Sequence, residues 1–115
     1  MIEDNLIELL ETFGFPVYRQ GSLAQNAPYP DTFFTFWENP ENTTDYDNET
    51  KFVIYDFNVY VYSNDPEVLA ATLAAARTLL KQNNFVILSR GFDVASDEIT
   101  HTGKGFEVSY INTEN

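Results

Sequence analysis

Phe52-Val53-Ile54-Tyr55-Asp56-Phe57-Asn58-Val59-Tyr60-Val61-Tyr62, followed by Ser63-Asn64-Asp65-Pro66-Glu67, sets one long strand directly before one helix. Side chains of a strand alternate between its faces. Val53, Tyr55, Phe57, Val59 and Val61 therefore make a core face, and Ile54, Asp56, Asn58, Tyr60 and Tyr62 a mixed, partly wet one. Asp65 is placed to accept hydrogen bonds from the first free amides of a helix, Pro66 needs no donor at the first helical position, and Glu67 complements the dipole. The helix is predicted to run to about Leu80, with Leu69, Leu73, Ala76 and Leu80 as its apolar stripe and a run of alanines that lets it lie close to a neighbour.

Upstream, residues 4–13 place Leu6, Leu9, Leu10 and Phe13 on one helical face, with Glu8 and Glu11 opposite and Gly14 as a left-handed stop. Phe15-Pro16-Val17-Tyr18-Arg19 reads as a brief strand whose proline suits a strand start or a sheet edge. Residues 21–30 hold Gly, Ser, Asn and two Pro and read as a loop. Thr32 to Glu38 is a strand by its aromatic and β-branched content, and Asn39-Pro40 closes it. From Glu38 to Glu49 there are five acids and no base, which suits an exposed connection between strands. Downstream, Asn83-Asn84 turns the chain into Phe85-Val86-Ile87-Leu88, and Phe106, Val108 and Tyr110 give one face of a final strand. Short polar loops between successive strands favour antiparallel pairing. The expected fold is α+β, a single antiparallel sheet of about five strands with two α-helices packed on one face, in one domain over residues 1–115.

At 115 residues the chain has room for one core, and 43% hydrophobic with 16% aromatic residues is enough to build it. The absence of cysteine removes disulfides, thiolate metal sites and Cys nucleophiles together. The opening Met1-Ile2-Glu3-Asp4-Asn5 has no basic region or apolar run of signal length, and no stretch approaches the roughly 20 apolar residues of a spanning helix. The expectation is a protein made and kept in the cytoplasm, without a membrane partner. The net charge is −12, and residues 1–50 hold ten acids against Arg19 alone. Such a field repels phosphate backbones, which argues against sequence-specific nucleic-acid binding.

The polar stretch from Gly91 to Gly105 holds the single histidine, His101, close to Asp97, Glu98 and Thr102. No nucleophile motif accompanies it, so the reading is a histidine that ties a turn by hydrogen bonds, in a chain that is not an enzyme. Asp45, Asp47 and Glu49 alternate like the start of a calcium loop, but Thr50 and Asp56 stand where glycine and glutamate are required. Gly103-Lys104-Gly105 lacks the other residues of a phosphate loop, and the Asn42 and Asn48 glycosylation triplets stand in a chain without a signal peptide. No cofactor is expected. Phe33, Phe34, Phe36 and Trp37 fall on both faces of their strand, so one set needs a cover that a second copy of the protein can supply. The candidate interface residues are Phe34, Trp37, Tyr60 and Tyr62, with Asp93, Asp97, Glu98 and His101 in the polar stretch.

Gly21-Ser22-Leu23, Tyr29-Pro30-Asp31-Thr32-Phe33-Phe34-Thr35-Phe36-Trp37, Tyr46-Asp47-Asn48, Ser63-Asn64-Asp65-Pro66 and the 91–105 stretch give the chain, over about residues 6–111, a resemblance to small proteins of the tail modules of phages and prophages of Gram-positive bacteria. That family is similar in size and element order to the tail terminator, or tail-completion, proteins of long-tailed phages. The resemblance implies a virion component that assembles in the host cytoplasm, caps the tail tube as a hexameric ring and meets the head connector. It also implies a use for the acidity, since a lumen lined with carboxylates would let DNA slide through without sticking. The 38–50 loop and the Asp93–Lys104 segment are the expected carriers of partner contacts. Another head–tail adaptor or closure protein is the alternative within this class. An acidic DNA mimic that inhibits a host nuclease is the alternative outside it.

Overall fold

The long strand organises everything else. The computed structural model describes residues 2–19, 30–39, 51–94 and 100–114. In it Lys51–Ser63 (β3) pairs along its whole length with Thr102–Glu114 (β6), from Lys51 opposite Glu114 to Ser63 opposite Thr102. Thr32–Asn39 (β2) lies antiparallel on the other side of β3, and Val17–Arg19 (β1) forms one edge of the sheet beyond it. Val86–Ile87 (β4) and Phe92–Val94 (β5) share the far side of β6, giving a six-stranded sheet in the order β1-β2-β3-β6-β4 with β5 also on β6. Two helices, Ile2–Glu11 (α1) and Pro66–Gln82 (α2), complete the α+β fold.

Two features differ from the sequence reading. The sheet is mixed, because β1 runs parallel to β2, with Val17 opposite Phe34 and Arg19 opposite Phe36. The inference from short loops fails at this pair: residues 20–31 are a connection long enough for the crossover that a parallel neighbour requires. The sixth strand, β5, comes from the polar 91–105 stretch. Ile87 opposes Val108 and Phe92 opposes Gly105, so residues 88–91 stand across from only residues 106 and 107. The ladder is interrupted there by a bulge of two extra residues. Leu88 N–H still donates to Glu107 C=O at 2.8 Å, and Glu107 N–H donates to Ser89 Oγ at 3.1 Å. Gly91, at φ 128°, turns the chain back onto the ladder in a region that side chains disfavour.

The helices cover one face. Leu6 and Leu10 of α1 and Leu69, Ala76 and Leu80 of α2 pack on Phe34 and Phe36, on Phe57, Val59 and Val61, and on Phe106 and Val108. Each is at most 3% exposed, and full burial of such a side chain is worth roughly 1.5–3 kcal/mol. The predicted odd face of β3 is thus the core face at Phe57, Val59 and Val61, with Tyr55 at its margin.

Local signals hold α2 in place. The Asp65 side chain accepts from Glu67 N–H at 2.9 Å and Val68 N–H at 3.5 Å. Buried Ser63 joins this cap to the sheet, since its Oγ accepts from Asp65 N–H at 3.1 Å and lies 3.0 Å from Thr32 Oγ1. At the other end Phe85 N–H reaches back to Leu80 C=O at 3.0 Å, with Asn84 left-handed at φ 72° between them. That closure sets Phe85 on Leu80 in the core, as a Schellman turn does.

Candidate interaction surface

The face of the sheet turned away from the helices carries the even residues of β3 and the odd residues of β2 and β6. At one end Phe33 is the hub. It stacks on Tyr62 at 5.1 Å and meets Tyr18 edge-on at 6.0 Å and His101 at 6.2 Å, which leaves it only 2% exposed.

Tyr60 and Tyr62 stand opposite Gly105 and Gly103 across the β3–β6 ladder. A Cβ on Gly103 would sit 2.6 Å from Tyr62 Cε1, and one on Gly105 would sit 2.6 Å from Tyr60 Cδ1. The two glycines therefore let the tyrosine rings lie down on β6, an arrangement in which an aromatic ring covers the bare backbone of a strand glycine. Gly103-Lys104-Gly105 serves this packing. The signal was in the sequence as two Tyr and two Gly with the same spacing of two, positioned to meet in one antiparallel register.

Beyond Tyr60 the face opens. Tyr60 touches Phe92 edge-on at 6.4 Å, and Phe92 is 40% exposed. Trp37, Val86 and Ile111 lie opposite Asn58, Ser109 and Ile54 on the same face, and Leu88 continues the register to Glu107. These five, Trp37, Val86, Leu88, Phe92 and Ile111, are all the exposed large hydrophobic residues among the described residues. Polar groups break up the patch: exposed Glu107, half-buried Asn58, and Asp56 hydrogen-bonded to Ser109 Oγ. The Thr35 hydroxyl is buried with no hydrogen-bond partner among the described residues.

The candidates separate on this map. Trp37, Tyr60 and Tyr62 share the open face, and His101 adjoins it beside Phe33. Phe34 is not on the open face: it is fully buried on the helix side, between Phe13 at 5.7 Å and Phe15 at 6.4 Å. Strand alternation puts its neighbours Phe33 and Trp37, not Phe34, on the open side. Asp93 faces the helix side, opposite Lys104, and its exposed carboxylate pairs with that ammonium at 3.2 Å. Asp97 and Glu98 lie outside the described residues, as do the Asp45-Asp47-Glu49 set and the loop over residues 21–29. Phe92, Val86 and Leu88 were missed, because short strands interrupted by a bulge have no clear period of two; Ile111, inside the long β6, was missed because that strand was read only for its core face at Phe106, Val108 and Tyr110.

His101 is 8% exposed, and both ring nitrogens are engaged: Nε2–H donates to Pro30 C=O at 2.8 Å, and Nδ1 lies 3.0 Å from Thr100 Oγ1. The ring thus fastens the start of β6 to the start of β2. No group of three metal-ligating side chains occurs among the described residues, and no described helix is long and apolar enough to cross a membrane. No protein-family model matches the sequence, and a comparison with curated proteins finds no match.

Proposed function

We propose that this protein is a structural component of a phage or prophage tail, which caps the tail tube as a homo-oligomeric ring, a hexamer, and joins it to the head connector. The observation that carries the reading is the segregation of Trp37, Val86, Leu88, Phe92 and Ile111 onto one face of a rigid sheet. A core already closed by two helices does not need them, and large exposed apolar side chains gathered on one face and interspersed with polar groups suit a subunit contact. The engagement of both His101 nitrogens supports a non-catalytic role for that residue. The resemblance of the chain to phage tail-module proteins supplies the setting, and the charge of −12 suits a lumen that DNA must traverse without adhering.

The test is capping. Purified protein is added to tail tubes assembled from tube protein alone, and electron microscopy scores tube ends and further elongation. The reading expects density at one end and arrested growth, and a Trp37→Ser/Phe92→Ser variant with both reduced. Tubes that neither bind the protein nor stop growing sink it. Inhibition of a nuclease by the free protein in the same preparation would favour the DNA mimic.

A further inference from the structure

The six basic residues are not spread evenly over this acidic chain. Arg77 and Lys81 on α2 and Arg90 beyond β4 line one groove of about 660 Å³, floored by Phe85 and Ile87. Three of the six Lys and Arg residues thus converge on one concavity of a chain of charge −12. Among the described residues none of the three has an ion-pair partner, and the Arg77 Nε is buried with no hydrogen-bond acceptor. The groove also lies at the open edge of the sheet. Leu88 N–H points to β6, so alternation turns the N–H and C=O of Ile87 outward, where no described strand meets them. Unpaired cations beside an uncovered strand edge call for an anionic cover.

The opposite edge of the molecule carries the complement. α1 packs beside β1, the far edge strand, and is tied to it by the ion pair of Glu3 with Arg19. Its outward side presents Asp4, Glu8 and Glu11, spaced four and three residues apart and all exposed. None of these three has an ion-pair partner among the described residues either. The stripe extends about 10 Å along the helix, long enough to pass both Arg77 and Lys81, which are one turn apart.

We propose that the groove of one copy receives the acidic face of α1 from a second copy, head to tail, with Asp4, Glu8 and Glu11 set against Arg77, Lys81 and Arg90. Both surfaces lie on every copy, at opposite edges, so the contact is heterologous and propagates from one copy to the next, into a ring where the rotation between copies closes and a filament where it does not. The docked helix covers the β4 edge. This inference rests on the oligomeric part of the functional reading and is independent of the tail itself.

Charge exchange tests it. Lys81→Glu/Arg90→Glu and, separately, Glu8→Lys/Glu11→Lys change only exposed residues with no ion-pair partner among the described residues, and circular dichroism checks that each variant folds. By sedimentation velocity across a concentration series, each double variant should associate about tenfold or more weakly than the wild type. A one-to-one mixture of the two, and the chain carrying all four changes, should regain assembly. Wild-type association in either double variant overturns the proposal, and so does failure of both the mixture and the four-fold chain to recover. A wild type that stays monomeric throughout also overturns it, even if that monomer caps tail tubes. Binding of a short DNA duplex that Lys81→Glu/Arg90→Glu abolishes, with assembly unchanged, would give the groove to nucleic acid instead. Assembly that obeys the exchange while tubes remain uncapped would refute the tail role alone.

Discussion

Replacing Gly103 by alanine tests the packing that shapes the open face. The new methyl would stand 2.6 and 2.7 Å from two ring atoms of Tyr62 and 3.2 Å from the Val94 carbonyl oxygen. The ring cannot yield toward β2, because it stacks at 5.1 Å on Phe33, which is itself held between Tyr18 and His101. It must swing outward or force the strands apart. Overpacking of this kind costs about 1–3 kcal/mol. Surrendering the stack costs about 0.5–1.5 kcal/mol. The alanine returns up to about 1 kcal/mol through lower unfolded-state entropy. The net expectation is a loss of about 1–2 kcal/mol, or roughly 4–8 °C in Tm for a chain of this length. Urea unfolding of the wild type, Gly103→Ala, Tyr62→Ala and the double variant isolates the cause. With the ring gone, Gly103→Ala should be neutral or stabilising, a coupling of about 1–3 kcal/mol. A Gly103→Ala protein as stable as the wild type, or one equally destabilised in both backgrounds, refutes the argument.

Three further outcomes follow from the same geometry. Asp65→Ala removes the acceptor of two amide hydrogen bonds at the start of α2 and should lower stability by about 1 kcal/mol in urea, whereas Asp65→Asn should retain most of it. Ser63→Ala removes the acceptor of the part-buried Asp65 amide and the partner of the buried Thr32 hydroxyl and should cost about 1–3 kcal/mol by the same assay. Thr35→Val replaces a buried hydroxyl with no partner among the described residues by a methyl of similar size, so the variant should unfold at an equal or higher urea concentration than the wild type.

The parts of the fold that were legible share one property: their signals are local or strictly periodic. The alternation of β3, the Asp65-Pro66 start of α2 and the leucines of α1 each depend on residues a few positions apart, and the structure bears each out. Gly14 does take the left-handed conformation, at φ 83°. The parallel course of β1 was not legible, because nothing in three residues of strand encodes direction. β5 was hidden for a related reason, since a strand of three residues after a bulge keeps no period and borrows its stability from β6.

The candidate surface divides in the same way, and the division bears on how the protein works. Exposure is a property of one face, and sequence assigns a face only when register is known. Phe33 and Phe34 differ by one position, and a shift of one residue exchanges the core for the surface. Register also explains why two tyrosines and two glycines, more than 40 residues apart in the chain, act as one unit. Charge behaves differently, because an ion pair requires proximity but no alternation. The acids of residues 1–50 were plain in the composition, yet only the fold shows that α1 sits at one edge of the sheet and the Arg77-Lys81-Arg90 groove at the other. Net repulsion at −12 discourages random encounters between copies, while the opposed charges at the two edges would favour the one relative orientation proposed above. An apolar face alone would make a sticky monomer; combined with directional charge at the edges, it suits a chain that associates with its own kind in one geometry.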